Sequence, residues 1–282
     1  MRFFVLGNAL RPGVREAAQQ LLPRLASFGE VVAFDLDQTQ DLSTKEADLA
    51  FVLGGDGAIL RAARQMAYHQ VPVLGINLGL LGFLADLALG EVESHLPQIV
   101  RGEYSIAPHI MFECRLSGAG AQQTFLGLNE VAVLAGHPFR MLQVTLEIDG
   151  EAVLKFGGDG IIVSTPIGST AHNLAAGGPI LGQQLPAFVV TPFAAHSLAA
   201  RPVVESADKV YTIRLNQPQG AWLVIDGQDQ IPLADEPVIE VRRAPVTFQL
   251  VKVPGKSYFR TLRDKLRWGT TPNYQGGEPS GQ

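Results

Sequence analysis

Apolar positions in the first hundred residues follow two alternating rhythms. Phe3–Leu6, Val31–Phe34, Leu49–Leu53 and Val71–Ile76 are short continuous apolar runs, the pattern of buried strands. Between the first two, Val14, Ala17, Ala18, Leu21, Leu22 and Leu25 recur at the spacing of an amphipathic helix. Ile59, Ala63, Met66 and Ala67 form a second helical stripe, and Val92, Leu96, Ile99 and Val100 a third. Strand and helix in alternation predict a parallel, Rossmann-like α/β sheet, whose ligands bind at the carboxyl ends of the strands.

The rhythm changes after Pro108. Leu142, Val144, Leu146 and Ile148 alternate with Gln143, Thr145, Glu147 and Asp149, a period of two. Asp149-Gly150 predicts a hairpin turn into Glu151–Phe156. Tyr211, Ile213 and Leu215 alternate again, Val238–Val241 and Thr247–Val253 read as strands, and a helical interruption is expected near Thr170–Ala176. The expected organisation is an α/β domain over 1–107 and a β-rich domain over 108–255. A closing helix within 256–269, with Phe259, Leu262 and Leu266 on one face, is expected to pack back on the first domain. The Gly/Pro/Gln-rich stretch 270–282 reads as a flexible tail.

Composition narrows the class. Hydrophobic residues make up 46% and charged residues 17%, against an average of roughly 25% charged, which excludes intrinsic disorder. The net charge of −5 argues against a nucleic-acid partner, which a basic excess would mark. Cys114 is the single cysteine, so no intrachain disulfide or Cys-based zinc site is available. The run Arg2–Gly7 is too short for a signal segment and is followed by Asn8 and Arg11. No apolar stretch reaches the ~18–20 residues that span a bilayer. A soluble, cytoplasmic protein with no membrane partner is expected.

Three loops carry candidate chemistry. Gly54-Gly55-Asp56-Gly57 lies between a strand and a helix, where glycines let the backbone approach a phosphate and the helix N-terminus offers unpaired N–H groups. Asp56 there could accept a proton from a hydroxyl, hold Mg²⁺ beside a phosphate, or simply cap the helix, and local sequence does not separate these. Asn77–Leu84, with Gly79 and Gly82, follows the next strand, so the two loops can share a cleft or form ordinary turns. Gly157–His172, continuing through Asn173 to Pro179, is dense in glycine and small hydroxyl residues that can hug a flat or phosphorylated ligand. Pro254-Gly255-Lys256-Ser257 ends like a P-loop, but Leu250 stands where the first glycine is required. No GxGxxG, HExxH or GxSxG occurs, and the histidines show no metal-ligand spacing. His69, His95, His109 and His137 read as surface or structural residues.

In this order the loops resemble the NAD kinase family, also called ATP- or polyphosphate-NAD kinases. Gly54–Gly57 is similar to its GGDG, Asn77–Leu84 to its NxGxxGFL loop, and Asn129-Glu130 to its NE dipeptide. Gly158–Gly178 resembles the stretch from Asp-Gly through Gly-Ser-Thr-Ala to Ala-Gly-Gly, and Pro192–Pro202 a later Pro-His-Ser-Leu…Arg-Pro segment. Asp226-Gly227-Gln228 and Leu262–Gly269 complete the likeness, from about Val52 to Gly269. GGDG by itself also occurs in lipid kinases and phosphofructokinases, whereas the ordered set is specific.

The resemblance implies Mg²⁺-dependent transfer of a phosphoryl group from ATP or polyphosphate to the 2′-hydroxyl of the adenosine ribose of NAD, giving NADP. By position in the family pattern, Asp56 would orient or deprotonate that hydroxyl, and Gly54, Gly55 and Gly57 would form the phosphate loop. Asn129 and Glu130 would hold adenine and ribose. Arg61, Arg140, Asp159, Thr170, Ala171, His172, Asn173, Leu174, Ala175 and Gln228 would line the dinucleotide site. The resemblance also implies a homodimer or homotetramer, with the active site in the cleft between the domains. The low net charge points to binding by loop N–H groups, Mg²⁺ and a few arginines rather than a broad basic surface. Three positions depart from the family pattern: His172 replaces Tyr, Ile167 replaces Thr or Ser, and Ala195 replaces Pro. The first two touch the preference between NAD and NADH. Alternative readings are a lipid kinase of the diacylglycerol or sphingosine type, motivated by GGDG, and a non-catalytic dinucleotide-binding homologue, motivated by His172 and Ile167.

Overall fold

The computed structural model describes residues 1–79, 82–85, 87–118 and 121–267. The chain begins with β1 (Arg2–Gly7), α1 (Val14–Ala26), β2 (Glu30–Asp35), β3 (Leu49–Leu53), α2 (Asp56–Met66), β4 (Val73–Asn77), the short β5 (Leu87–Ala88) and α3 (Leu89–Val100). These strands pair in parallel in the order β2-β1-β3-β4, with the chain returned to the same end of the sheet by α1 and α2 and, between β2 and β3, by a segment without a helix. Every residue of β3 is buried, which is why its sequence is continuously apolar. In α1 the expected stripe is buried apart from Leu22, which is partly covered. The stripe of α2 ends one residue early: Met66 is its last helical residue, and Ala67 turns the chain at φ 47°. Pro72 has no N–H to give a ladder, and β4 starts only at Val73.

The remainder runs β6 (Ser105–Gly118), β7 (Ala121–Gly127), β8 (Glu130–Ala135), β9 (Leu142–Ile148), β10 (Glu151–Gly158), β11 (Gly160–Ser164), a 3₁₀ turn (Gly168–Thr170), α4 (His172–Ala175), β12 (Ala187–Phe193), β13 (Val203–Ser206), β14 (Tyr211–Asn216), β15 (Ala221–Ile225), β16 (Asp229–Pro232), β17 (Val238–Lys252) and α5 (Tyr258–Leu266). The expected hairpin joins β9 to β10, with Asp149 and Gly150 both at positive φ, 51° and 83°, as a tight two-residue turn requires. The apolar runs Val238–Val241 and Thr247–Val253 prove to be one strand, β17, which shifts register against β6 between Arg243 and Thr247.

Among the described residues two sheets form. One has eleven strands, with the path β10-β9-β14-β17-β4-β3-β1-β2; the other has six, in the order β13-β12-β11-β8-β15-β16. The join in the larger sheet is β17, antiparallel to β6 and β14 and parallel to β4 at Leu250–Val73. The molecule is thus an α/β N-terminal domain plus a β-rich C-terminal domain, sharing a sheet. They also share a core: Phe4, Ile59, Ala63 and Met66 pack with Met111, Leu128, Phe248 and Leu250 from the β-rich part. On α5, Leu262 is buried, but Phe259 is 75% exposed, because Thr261 rather than Phe259 turns inward beside it. Lys256 pairs with Glu91 of α3 at 2.7 Å, and the Lys265 ammonium lies 4.2 Å from the centre of the Phe83 ring. Trp268, Gly269 and the expected tail 270–282 lie outside the described residues. Among the described residues no helix is long and apolar enough to cross a membrane.

Candidate active site

The strand order reverses between β1 and β3, and such a switch point opens a crevice at the carboxyl ends of parallel strands. A cavity of about 720 Å³ lies there, lined by Asn8 and Arg11 after β1, by Gly54, Gly55, Gly57 and Arg61 after β3, and by Asn77–Gly79 after β4. Gly54 turns the chain at φ 136°, a region where a side chain would be strained. Gly55 is the cap residue of α2 and no side chain caps the helix; the Ala58 N–H returns to the Gly55 carbonyl at 3.0 Å, and the earlier N–H groups, on residues that line the cavity, are left as an anion site.

Asp56 therefore does not cap its own helix. Its Oδ2 accepts the Phe83 N–H at 2.9 Å, and its Oδ1 accepts those of Leu84 at 2.9 Å and Ala85 at 3.4 Å. Gly82 permits this approach, since a Cβ there would stand 2.2 Å from Asp56 Oδ1. Two glycine loops 27 residues apart are thereby clipped together by one carboxylate. Oδ2, with one N–H bound, keeps a lone pair for a further donor or a cation. Leu80 and Leu81 of the second loop lie outside the described residues.

A second group forms around Asn129 and Glu130 at the start of β8. The loop after β11 folds onto them: Thr165 donates its N–H to the Asn129 carbonyl at 2.9 Å and its hydroxyl to the Leu128 carbonyl at 2.6 Å. Gly168 lies so close that a Cβ would meet the Asn129 carbonyl oxygen at 2.1 Å. Beneath sits Asp226, whose carboxylate accepts the N–H groups of Leu128, Asn129 and Glu130 at 2.9, 2.8 and 3.1 Å. Asn129 Oδ1 and Glu130 Oε2 are buried with no hydrogen-bond partner among the described residues. Such atoms point to a ligand's donors.

Burial, reinforced by the Asp226 charge, pushes the Glu130 carboxyl up to about 8 from an ordinary 4.5. A carboxyl raised in the folded state contributes stability that is full below its unfolded value and is lost as pH rises through its folded value. The melting temperature of the unliganded protein is expected to fall between about pH 4.5 and about pH 8, for a total of about 5 kcal/mol at most. Glu130→Gln should flatten that slope, and thermal scans across the interval measure it.

The remaining expected residues divide. Asp159 is exposed, its backbone held between Ala135 and Phe193, and the His172 ring meets Phe193 edge-on at 5.8 Å, so both sit at one rim. Thr170, Ala171 and Leu174 are half-buried and Ala175 is exposed. Asn173 is wholly buried, its amide spent on the carbonyls of Ser169 and Pro179 and on the Thr191 hydroxyl. Arg140 is exposed between Phe139 and Met141. Gln228 reaches the first group, donating to the Gly57 carbonyl at 3.3 Å. Ile167 packs into the shared core at 5% exposure, so its side chain fills apolar space. Sequence reasoning missed Arg64, which pairs with Asp229 and lies 3.3 Å from Gln228 Oε1. Its helical spacing from Gly57 and Arg61, both already singled out, was the available signal.

Two family models cover most of the chain: the ATP-NAD kinase N-terminal domain matches residues 8–104 and the ATP-NAD kinase C-terminal domain residues 128–253. The chain belongs to the NAD kinase family. It is accordingly an enzyme. It is 44% identical to an NAD kinase of Rhodopirellula baltica over 95% of this chain and 86% of that one. It is 39% identical to an NAD kinase of an Azoarcus species over 88% and 85%. A crystal structure of an Archaeoglobus fulgidus NAD kinase in complex with ATP superposes with a TM-score of 0.78 at 28% identity, over 95% of this chain and 99% of that one. Yeast NADH kinase complexed with NADH shares the fold, with a TM-score of 0.89 at 22% identity over 98% and 90%.

Proposed function

We propose that this NAD kinase transfers a phosphoryl group from ATP or polyphosphate to the 2′-hydroxyl of the adenosine ribose of NAD, producing NADP. The observation that carries this reading is the contact of Gln228 with the Gly57 carbonyl, which brings the uncapped helix N-terminus beside Asp56 against the turn that holds Asn129 and Glu130. Donor phosphates bind at the Gly55–Gly57 N–H groups, with Arg61 and Arg11 lining the same cavity. The unpartnered oxygens of Asn129 and Glu130 receive donors of the adenosine. Asp56 Oδ2 accepts the hydroxyl proton as the ribose oxygen bonds to the terminal phosphorus of the donor, whose bridging P–O bond breaks to release ADP or polyphosphate shortened by one unit.

Among the described residues no three His, Cys, Asp or Glu side chains converge. A phosphate-borne Mg²⁺ needs only one or two carboxylates, and Asp56 fits that demand. When bound, the ion neutralises charge on the phosphates. The same reading carries a cytoplasmic homodimer or homotetramer. Exposed Phe139 and Met141, the latter beside Gly157, offer apolar surface for it.

The test is a matrix of ATP, other nucleoside triphosphates and polyphosphate against NAD, NADH and a dispersed lipid, with the dinucleotide arms read by an NADP-specific dehydrogenase that requires the 2′-phosphate and the lipid arm by transfer of labelled phosphate. NADP formed from NAD is expected, and its absence with every donor would overturn the reading.

A further inference from the structure

Gly57, Arg61, Arg64 and Tyr68 stand at successive spacings of four, three and four residues, along one face of α2 and the turn that follows it. That face meets the β-rich domain at three points. Near the N-terminus the Gly57 carbonyl accepts from Gln228. In the middle Arg64 pairs with Asp229 and reaches Gln228 Oε1 at 3.3 Å, its side chain 23% exposed and that of Asp229 37%. Beyond the helix the Tyr68 hydroxyl donates to Glu113 of β6 at 2.6 Å.

Two of these contacts come from the β15–β16 turn, residues 226–229. The same turn is fixed from below, because Asp226 is buried under Leu128–Glu130 and holds three of their N–H groups. One short turn therefore grips the base of the Asn129–Glu130 group with one carboxylate, and α2 with another and with an amide. We propose that the Arg64–Asp229 pair, braced by Gln228, is a latch that sets the distance between the phosphate-binding N-terminus of α2 and the Asn129–Glu130 group, and that Arg64 and Asp229 are positioning residues for phosphoryl transfer. The proposal rests on the function given above.

Asp56 and the first-turn N–H groups are rigidly part of α2, so any tilt of the helix moves the proton acceptor and the phosphate cradle together. The shared core under α2 is apolar and sets no direction of its own; Tyr68 pins the far end, and without Arg64 the near end keeps, as its polar contact with the β-rich domain among the described residues, the 3.3 Å amide contact of Gln228. Arg64 is suited to the task because its planar fork reaches a carboxylate and an amide from two nitrogens held in fixed geometry, whereas an ammonium is a single point donor on a flexible stem. Each substrate still meets its own half-site when the latch is broken, so affinity is retained while alignment is lost. Misplacement of about 1 Å lowers turnover by up to about 100-fold.

The experiment compares wild type, Arg64→Met, Asp229→Asn, Arg64→Lys and the exchanged pair Arg64→Asp/Asp229→Arg in steady-state formation of NADP, each with its melting temperature. Arg64→Met and Asp229→Asn are expected to lower kcat about 10- to 100-fold, with KM for ATP and NAD moved less than about threefold. Arg64→Lys should be intermediate, and the exchanged pair should recover most of the loss. A pair with only a structural role would lower the melting temperature and leave kcat per folded molecule alone. An active wild type beside an Arg64→Met enzyme with kcat within about twofold, or with the loss confined to KM, sinks the latch and spares the function. A wild type that makes no NADP sinks the function, and the latch with it.

Discussion

Turnover of Asp56→Asn is expected to fall by about 10²- to 10⁴-fold at saturating ATP and NAD. Calorimetric binding of NAD should change little. Asparagine keeps the volume and one oxygen, so Leu84 can still donate to the side chain. Its amide nitrogen, however, faces the Phe83 N–H, where two donors meet and no proton acceptor remains. The substitution thus removes the base and loosens the clip between the glycine loops. Hydrogen exchange at residues 82–85 measures the second effect apart from the first. A variant retaining more than about a tenth of normal turnover would assign Asp56 to holding the loop and not to taking the proton.

Loss of the Asp226 carboxylate is expected to have the largest effect on stability. Asp226→Ala strands three buried N–H groups, each costing about 1–3 kcal/mol when unpaired. It also leaves a β-carbon at φ 51° without the side-chain oxygen that favours this region. Relief of a buried charge near Glu130 offsets part of this, for burial already pushes Asp226 up against the pull of its three donors. A net loss of about 3–5 kcal/mol follows, or roughly 5–8 °C in melting temperature. Asp226→Asn should lie between, since an amide oxygen still accepts from part of the loop. A loss below about 1 kcal/mol for the alanine variant would show that the loop finds other partners.

The parts legible in the sequence share a physical reason: each is written within a few residues. A strand turning into a helix needs its glycines in place, so Gly54–Gly57 marks its own position, and Asp149-Gly150 marks the β9–β10 hairpin. Strands with one wet face announce themselves by alternation, as β9 and β14 do. In the smaller sheet Ile161–Ser164 reads as a strand ahead of its glycine-rich loop, but β12 is buried at six of seven positions and β8 at its first four, so neither shows a period. The role of Asp56 was ambiguous because its partners lie 27 to 29 residues away. Asp226 and its three N–H groups are 96 to 98 residues apart, and Arg64 and Asp229 are 165 apart. Folding, not local pattern, makes those pairs. Ile167 illustrates the converse: a lost hydroxyl suggested a changed ligand contact, whereas the side chain completes the apolar core.

The pairing of β17 with β4 bears on how the chain is made. The α/β domain comes first off the ribosome, yet the strand that covers the edge of β4 ends at Lys252. Phe248 and Leu250, which finish the core under α2, arrive equally late. Until then a nascent chain carries a parallel edge that β5 covers only at Ile76 and Asn77, and an uncovered apolar face, the two features that recruit chaperones and invite aggregation. A message cut short anywhere before Leu250 therefore yields a substrate for proteolysis and not a smaller working enzyme.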